Sequence, residues 1–297
     1  MGGNQSTPAP PPPSPFFSEP WRKIKWGDNQ SALQYVKDYK PRNGNQQLRI
    51  LLHGPVGTGK SSFINSVQSV LHGRMYTQAL VDNTSHDSFT KKYTTYKIQK
   101  GRSSTFYPFV FNDIMGLEQR GGVHVEDIKL ALKGHVMDGY RFNPESKLSE
   151  DDRFYNKSPT DNDKVHVLVC VIDANKLSIM NKEVLQKIWD IRKEASDLGI
   201  PQVVIVTKPD ELSPEIKADV KNVYKVKILK QKLEKFSADV GIPMNCIFPV
   251  KNYHEEIDID SDVDSLILSA LRSIISFGDD YINFKQSAER LTCFNTE

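Results

Sequence analysis

The chain has 297 residues, of which 38% are hydrophobic and 26% are charged, and its formal net charge at pH 7 is +2. That length accommodates one large domain or two small ones. The near balance of charge gives no strong signal for nucleic-acid binding. Three cysteines without metal-ligand spacing fit free thiols in a reducing compartment. No apolar run is long enough to cross a bilayer and no signal-peptide core is recognisable, so we expect a cytoplasmic protein.

The N-terminal part of the chain differs in composition from the rest. Residues 1–20 contain the proline run Pro10–Pro13, and we predict a disordered, proline-rich tail there. Residues 21–45 are predicted to contain a short helix and a linker. We then expect one folded domain over residues 46–284 and a C-terminal tail over residues 285–297.

Within the folded domain, short apolar runs alternate with segments of helical periodicity. The runs at 48–52, 165–172 and 203–206 are typical of strands buried on both faces of a sheet. Weaker strands are predicted at 93–98, 106–111 and 246–248, and residues 140–163 are interpreted as an inserted surface loop. The alternation predicts an α/β fold with a mostly parallel sheet and helices on both faces.

A glycine-rich segment, Gly54-Pro-Val-Gly-Thr-Gly-Lys-Ser61, lies between the first strand and the helix that follows it. It matches the phosphate loop of P-loop NTPases at each position, and the strand–loop–helix context agrees. The alternative is a glycine-rich turn that matches by chance. Glycines allow successive amides to face a phosphate, while the lysine ammonium reaches the β- and γ-phosphates and the serine hydroxyl ligates Mg²⁺. We expect the phosphate-binding residues to be Gly54, Val56, Gly57, Thr58, Gly59, Lys60, Ser61 and Ser62, with Ser61 also a metal ligand.

A second phosphate-side motif, Asp113-Ile-Met-Gly116, follows the strand at 106–111. We expect Asp113 to hold Mg²⁺ through water and the Gly116 amide to meet the γ-phosphate, although an ordinary turn would have the same sequence. The residue after Gly116 is Leu117, which cannot orient a water molecule. Gln119 is the only candidate catalytic residue we name, and its register differs from that of efficient GTPases. Binding is therefore better supported than turnover, and hydrolysis is expected to be slow or absent.

Thr207-Lys-Pro-Asp210 directly follows the buried strand at 203–206, where a base-reading loop is expected. Guanine presents two adjacent donors that one carboxylate, Asp210, can accept, whereas adenine does not. The Lys208 stem can cover the face of the base. Lys251 and Asn252 follow the last strand and are expected to contact the base through backbone groups. A polar turn is the alternative for the first loop. The motifs together predict binding of GTP or GDP with Mg²⁺.

Four segments resemble the interferon-induced protein 44 and 44-like family: residues 53–67, 112–118, 252–253 and 266–272, the last followed by Asp279-Asp280. The resemblance extends from about Trp21 to about Phe284. It implies a fold like that of the small G proteins, with residues 46–284 as the G domain, and a cytosolic, interferon-induced protein of innate antiviral immunity. The larger family members carry an N-terminal TLDc-type domain, and we expect any role of that domain to be absent here, because this chain has only a short tail in its place. It also suggests Thr84, with Thr90 as the runner-up, as the threonine that contacts Mg²⁺ and the γ-phosphate.

Three further hypotheses remain open at this stage. The chain could use nucleotide only as a static structural element of an antiviral scaffold, or it could be an ATP-dependent P-loop enzyme. Residues 1–6 fit the pattern for N-myristoylation at Gly2, which would give weak membrane attachment, with Arg22, Lys23 and Lys25 as a second signal. The alternative for residues 1–6 is a polar tail. The sequence identifies no protein partner.

Overall fold

The computed structural model describes residues 13–42, 44–79, 91–101 and 104–294, with side chains described as far as residue 288. Three residues singled out from the sequence, Gly2, Thr84 and Thr90, lie outside the described residues. The acylation site and the choice between the two threonines therefore stay predictions.

A six-stranded sheet forms the centre of the molecule, in the order β2-β3-β1-β4-β5-β6. Strand β2 runs antiparallel to β3, and every other neighbouring pair is parallel. All seven residues of the central strand β4 are buried, which explains why its sequence is continuously apolar until the final aspartate. The strands are Leu48–His53 (β1), Thr94–Gln99 (β2), Phe106–Asp113 (β3), Val167–Asp173 (β4), Gln202–Thr207 (β5) and Ile247–Val250 (β6).

Helices cover both faces of this sheet and form two apolar cores. Helices α1, α2 and α8 pack on one face, and α3, α4 and α7 pack on the other. The described helices are Gln30–Asp38 (α1), Lys60–His72 (α2), Val125–Leu132 (α3), Lys182–Asp197 (α4), Pro209–Leu212 (α5), Pro214–Ala218 (α6), Lys227–Val240 (α7) and Ser261–Phe294 (α8). Short 3₁₀ helices lie at Ala174–Lys176, Val220–Tyr224 and Met244–Cys246. The predicted fold class, an α/β P-loop NTPase fold of the small-G-protein type, is confirmed.

The N-terminal segment differs from the sequence prediction where it is described. Residues 14–26, which we call the N-terminal strap, lie alongside residues 224–227, which lead into α7. The Phe17 amide donates to the Lys225 carbonyl at 2.9 Å, and the Trp21 amide donates to the Tyr224 carbonyl at 2.9 Å. Apolar side chains in this segment, among them that of Trp21, pack against the core. The proline-rich sequence nearby did not predict this packing.

The strap also changes the interpretation of its basic residues. Arg22, considered above as part of a membrane signal, donates from Nη1 to the Ile247 carbonyl at 2.7 Å and from Nη2 to the Met244 carbonyl at 2.5 Å. Its guanidinium is therefore committed to the protein itself, whereas Lys23 and Lys25 are exposed. In the described ranges, no helix has the length and apolar character needed to cross a membrane.

Two other segments also differ from the sequence prediction. Helix α8 continues to Phe294, beyond residue 284, after which we predicted a C-terminal tail. The polar segment 140–163 is more than a surface loop, because Tyr140, Phe142 and Leu148 are buried in it. The Tyr140 hydroxyl and the Leu148 amide both donate to the carboxylate of Asp127 on α3, which fastens the segment to that helix.

Candidate functional site

The phosphate loop leaves the carboxyl end of β1 and enters α2 at Lys60. At Gly54, φ is +138°, and a Cβ would lie 2.2 Å from the Val171 carbonyl oxygen of the neighbouring strand. At Gly59, φ is +83°, and a Cβ would lie 2.9 Å from Asn252 Nδ2. Only glycine fits these two positions, because each combines an unfavourable φ for L-residues with a close neighbour. The loop thus takes a tightly curled path between β1 and α2.

Lys60 is buried inside the curl of this loop. Its Nζ donates to the carbonyls of Gly54 at 3.2 Å and Pro55 at 3.0 Å. Burial lowers the pKa of Lys60, and the nearby Asp113 carboxylate opposes that shift. The ammonium therefore lies within the loop, where its charge and the α2 N-terminus would act together on a bound anion.

Ser61 and Asp113 meet beside the loop. Ser61 Oγ donates to Asp113 Oδ2 at 2.5 Å, and Asp113 is fully buried at the end of β3. Burial raises the pKa of Asp113, while Lys60 and the Ser61 hydroxyl partly offset the rise. The other oxygen, Oδ1, makes no hydrogen bond of normal geometry within the described residues. A buried carboxylate oxygen beside a hydroxyl is a donor set that suits Mg²⁺, which prefers hard oxygen ligands.

The residue that follows the Asp113–Gly116 motif is hydrogen-bonded to the phosphate loop. The Leu117 amide donates to the Gly54 carbonyl at 3.0 Å, and the Val56 amide donates to the Leu117 carbonyl at 3.3 Å. Gly116 lies against Val56, since a Cβ at Gly116 would be 2.5 Å from Val56 Cγ2. The Leu117 side chain is only 2% exposed, in the apolar core. Gln119 is exposed in the loop that follows.

The loop after β5 is tied to the phosphate loop by Thr207. Its Oγ1 donates to the Thr58 carbonyl at 2.7 Å, and the side chain is fully buried. Lys208 follows with φ of 56°, the one positive value at a non-glycine position in the described ranges. This turn starts α5 at Pro209 and puts Asp210 in its first turn. A strained backbone held by its surroundings is common at ligand sites.

The loop after β6 and the loop after β5 line one cavity. Asn252 Nδ2 donates to the Gly59 carbonyl at 3.1 Å, and Lys251 Nζ lies 2.7 Å from Glu256 Oε1. Burial alone would raise the pKa of Glu256, but hydrogen bonds from the His254 amide and Lys251 lower it to about 2. The cavity has a volume of about 620 Å³, and the residues predicted from the sequence that line it are Gly59, Ser62, Lys208, Asp210, Lys251 and Asn252.

Sequence reasoning missed two side chains at this end of the sheet. Asp173 is buried at the end of β4, its Oδ1 accepts from the Asn175 amide at 2.8 Å, and its Oδ2 lies 3.7 Å from Lys208 Nζ. A carboxylate that ends a continuously apolar strand was the available signal. Tyr253 was noted only as part of the family resemblance, yet its amide donates to Ser66 Oγ at 3.0 Å. Nothing in the local sequence predicts that contact.

The sheet order, the phosphate loop after β1 and the two loops around one cavity define a P-loop fold of the small-G-protein class. No protein-family model matches the chain. The chain is 36% identical to Interferon-induced protein 44 of Homo sapiens over 255 residues, which is 85% of the chain and 57% of that protein. It is 33% identical to Interferon-induced protein 44-like of Homo sapiens over 265 residues, 88% of the chain and 58% of that protein. The Mus musculus Interferon-induced protein 44 is 36% identical over 86% of the chain and 60% of its own length.

The chain is therefore homologous to the interferon-induced protein 44 and 44-like proteins, which confirms the resemblance seen in the sequence. It spans less than two thirds of the length of these relatives.

Solved structures with a similar fold include Toc33 from Arabidopsis thaliana and a probable GTP-binding protein, EngB. A Toc33 dimerization-deficient mutant has a TM-score of 0.48 and 15% identity, covering 85% of this chain and 93% of that one. Toc33 in complex with GDP and Mg²⁺ has a TM-score of 0.44 and 15% identity, covering 84% and 89%. EngB has a TM-score of 0.41 and 12% identity, covering 77% and 98%.

Proposed function

We propose that this chain is a guanine-nucleotide-binding protein that holds GTP or GDP with Mg²⁺ and acts in an interferon-induced antiviral response. The observation that carries the proposal is the enclosure of the Lys60 ammonium within a curled phosphate loop, with a base-reading loop joined to it through Thr207. The names of the relatives support the interferon-induced part of the proposal.

The phosphate side would be bound by main-chain amides and one cation. Amides of the loop from Gly57 to Ser62, together with Lys60, would hold the β-phosphate. Ser61 and Asp113 would hold Mg²⁺, which neutralises phosphate charge when bound. The amide of Gly116 would meet the γ-phosphate, since this residue lies against Val56 of the loop.

Guanine would be selected at the cavity between the two base loops. The Asp210 carboxylate would accept from the N1–H and N2 amine of guanine, and the Lys208 stem would cover one face. Adenine lacks that pair of donors, and each lost charge-assisted hydrogen bond costs roughly 1.5–3 kcal/mol. The guanine nucleotide should therefore bind about 10- to 100-fold more tightly than the adenine nucleotide.

Hydrolysis would be slow without a partner. The position after Gly116 carries Leu117, whose side chain is buried in the apolar core and has no group to orient water. Gln119 is exposed in the next turn. We therefore propose a protein whose conformation depends on which nucleotide is bound, with weak GTPase activity at most.

Membrane attachment remains a separate proposal. The pattern at Gly2 lies outside the described residues, and one acyl chain alone binds membranes only marginally. The intact mass of the protein from eukaryotic cells tests it, because acylation at Gly2 would add the mass of one myristoyl group.

Competition of GTP against ATP in the Asp210→Ala variant tests the proposed function. The wild type should bind GTP at least about tenfold more tightly than ATP, and Asp210→Ala should abolish the difference. Glu211→Ala is the matched control, since it removes the adjacent carboxylate that lines the same cavity and should retain the preference. A preference for ATP that Asp210→Ala leaves unchanged would contradict guanine binding and favour an ATP-dependent enzyme.

A further inference from the structure

Tyr253 lies where the loop after β6 meets the start of α8. The side chain is 7% exposed. Its hydroxyl donates to Asp264 Oδ1 at 2.6 Å and accepts a hydrogen bond from the Asp260 amide at 2.8 Å. A hydrogen bond to a buried carboxylate is stronger than one between neutral groups in water. The ring is therefore fixed to the first turn of α8 at its polar end.

The backbone of the same residue is fixed to α2. The Tyr253 amide donates to Ser66 Oγ at 3.0 Å, and Ser66 Oγ in turn donates to the Ser62 carbonyl at 2.8 Å. Ser66 is fully buried, and Ser62 is in the first turn after the phosphate loop. The preceding residue, Asn252, donates to the Gly59 carbonyl. One short segment thus joins the phosphate loop, α2 and α8.

Asp260 caps the first turn of α8. Its Oδ1 accepts from the amides of Asp262 at 2.8 Å and Val263 at 3.0 Å, which satisfies the first free donors of α8. Tyr253 is consequently attached to a capped helix start. Because the loop is hydrogen-bonded to both α2 and α8, its backbone groups can be held at one fixed distance from a base.

We propose that Tyr253 is a positioning residue for guanine recognition, which holds Lys251 and Asn252 against the base through its hydrogen bond to Asp264. This inference rests on the proposed function. Within the described residues, the Tyr253 hydroxyl is hydrogen-bonded to Asp260 and Asp264 and not to Lys60, Ser61 or Asp113. Loss of that hydroxyl should therefore weaken binding of the base and leave phosphate binding unchanged.

Tyr253→Phe tests the inference, because it removes the hydroxyl and keeps the ring. Calorimetric titration with Mg·GDP and with magnesium pyrophosphate separates the two halves of the site. We expect the variant to bind GDP about tenfold more weakly, to discriminate less between GTP and ATP, and to bind pyrophosphate as the wild type does. Asp264→Asn weakens the same hydrogen bond from the acceptor side and should act in the same direction with a smaller effect.

Tyr39→Phe is the matched control. The Tyr39 hydroxyl donates to Asp279 Oδ1 at 3.3 Å, so this variant removes another tyrosine–aspartate hydrogen bond on α8, away from the cavity residues. It should leave both affinities unchanged. Wild-type GDP affinity in Tyr253→Phe, or a parallel loss of pyrophosphate binding, would overturn the inference. A wild type that binds pyrophosphate but does not distinguish GTP from ATP would instead overturn the proposed guanine selectivity.

Discussion

The distance between the two phosphate-side loops is set by a residue without a side chain. A Cβ at Gly116 would lie 2.5 Å from Val56 Cγ2 and 2.8 Å from both Val56 Cα and Val56 N. Two of these three atoms belong to the backbone and cannot rotate away. Glycine is therefore required here because of close approach.

Gly116→Ala should force the two loops apart. Overpacking of this kind costs roughly 1–3 kcal/mol in the free energy of unfolding. Affinity for GTP should fall more than affinity for GDP, since Gly116 faces the γ-phosphate in the proposed complex. Denaturant unfolding and nucleotide titration measure the two effects. Gly44→Ala is the control, because a Cβ there has no neighbour within 4 Å, and equal stability of the two variants would contradict the packing argument.

At the scale of elements, the N-terminal strap packs against β6, the strand that leads to the proposed base-binding loop. The Arg22 guanidinium lies 5.1 Å from the Trp21 ring centroid, 5.4 Å from that of Tyr224 and 5.3 Å from that of Phe248. It also donates to carbonyls at the start of β6 and in the 3₁₀ helix before it. Strand β6 ends at Val250, directly before Lys251. The strap thus packs against the strand that precedes the proposed base-binding residue Lys251.

Arg22→Ala should remove this support and lower the free energy of unfolding by about 2–4 kcal/mol, because it deletes two charge-assisted hydrogen bonds and the ring contacts. Arg22→Lys keeps the charge but lacks the planar, forked guanidinium, so an intermediate loss is expected. Thermal and denaturant unfolding measure both variants. Wild-type stability in Arg22→Ala would show that the strap adds nothing to the fold.

The contacts of the strap could not be predicted from the sequence. The strands and the phosphate loop could be predicted because apolar runs, glycines and Lys60 act within a few neighbouring residues. Arg22 finds its acceptors 222 and 225 residues away, and no local pattern contains that information. The same holds for Tyr253, whose amide bonds to Ser66 across 187 residues. The sequence predicted the motifs of the site, whereas packing determines what holds them in place.

At the scale of the whole molecule, the candidate site joins parts that are distant in the chain. The phosphate loop follows β1, Asp113 ends β3, and the two proposed base-binding loops follow β5 and β6. These segments meet because carboxyl ends of parallel strands share one edge of the sheet. A nucleotide bound there would contact each of them, so binding should also raise the stability of the whole domain through linkage.

Equilibrium titration of the folded protein with Mg·GTP and Mg·GDP, beside Lys60→Ala, measures whether the phosphate loop binds guanine nucleotide. We expect saturable binding by the wild type and at least about tenfold weaker binding by Lys60→Ala, with both proteins folded by circular dichroism. A correctly folded wild type with no measurable affinity for either nucleotide would contradict this expectation.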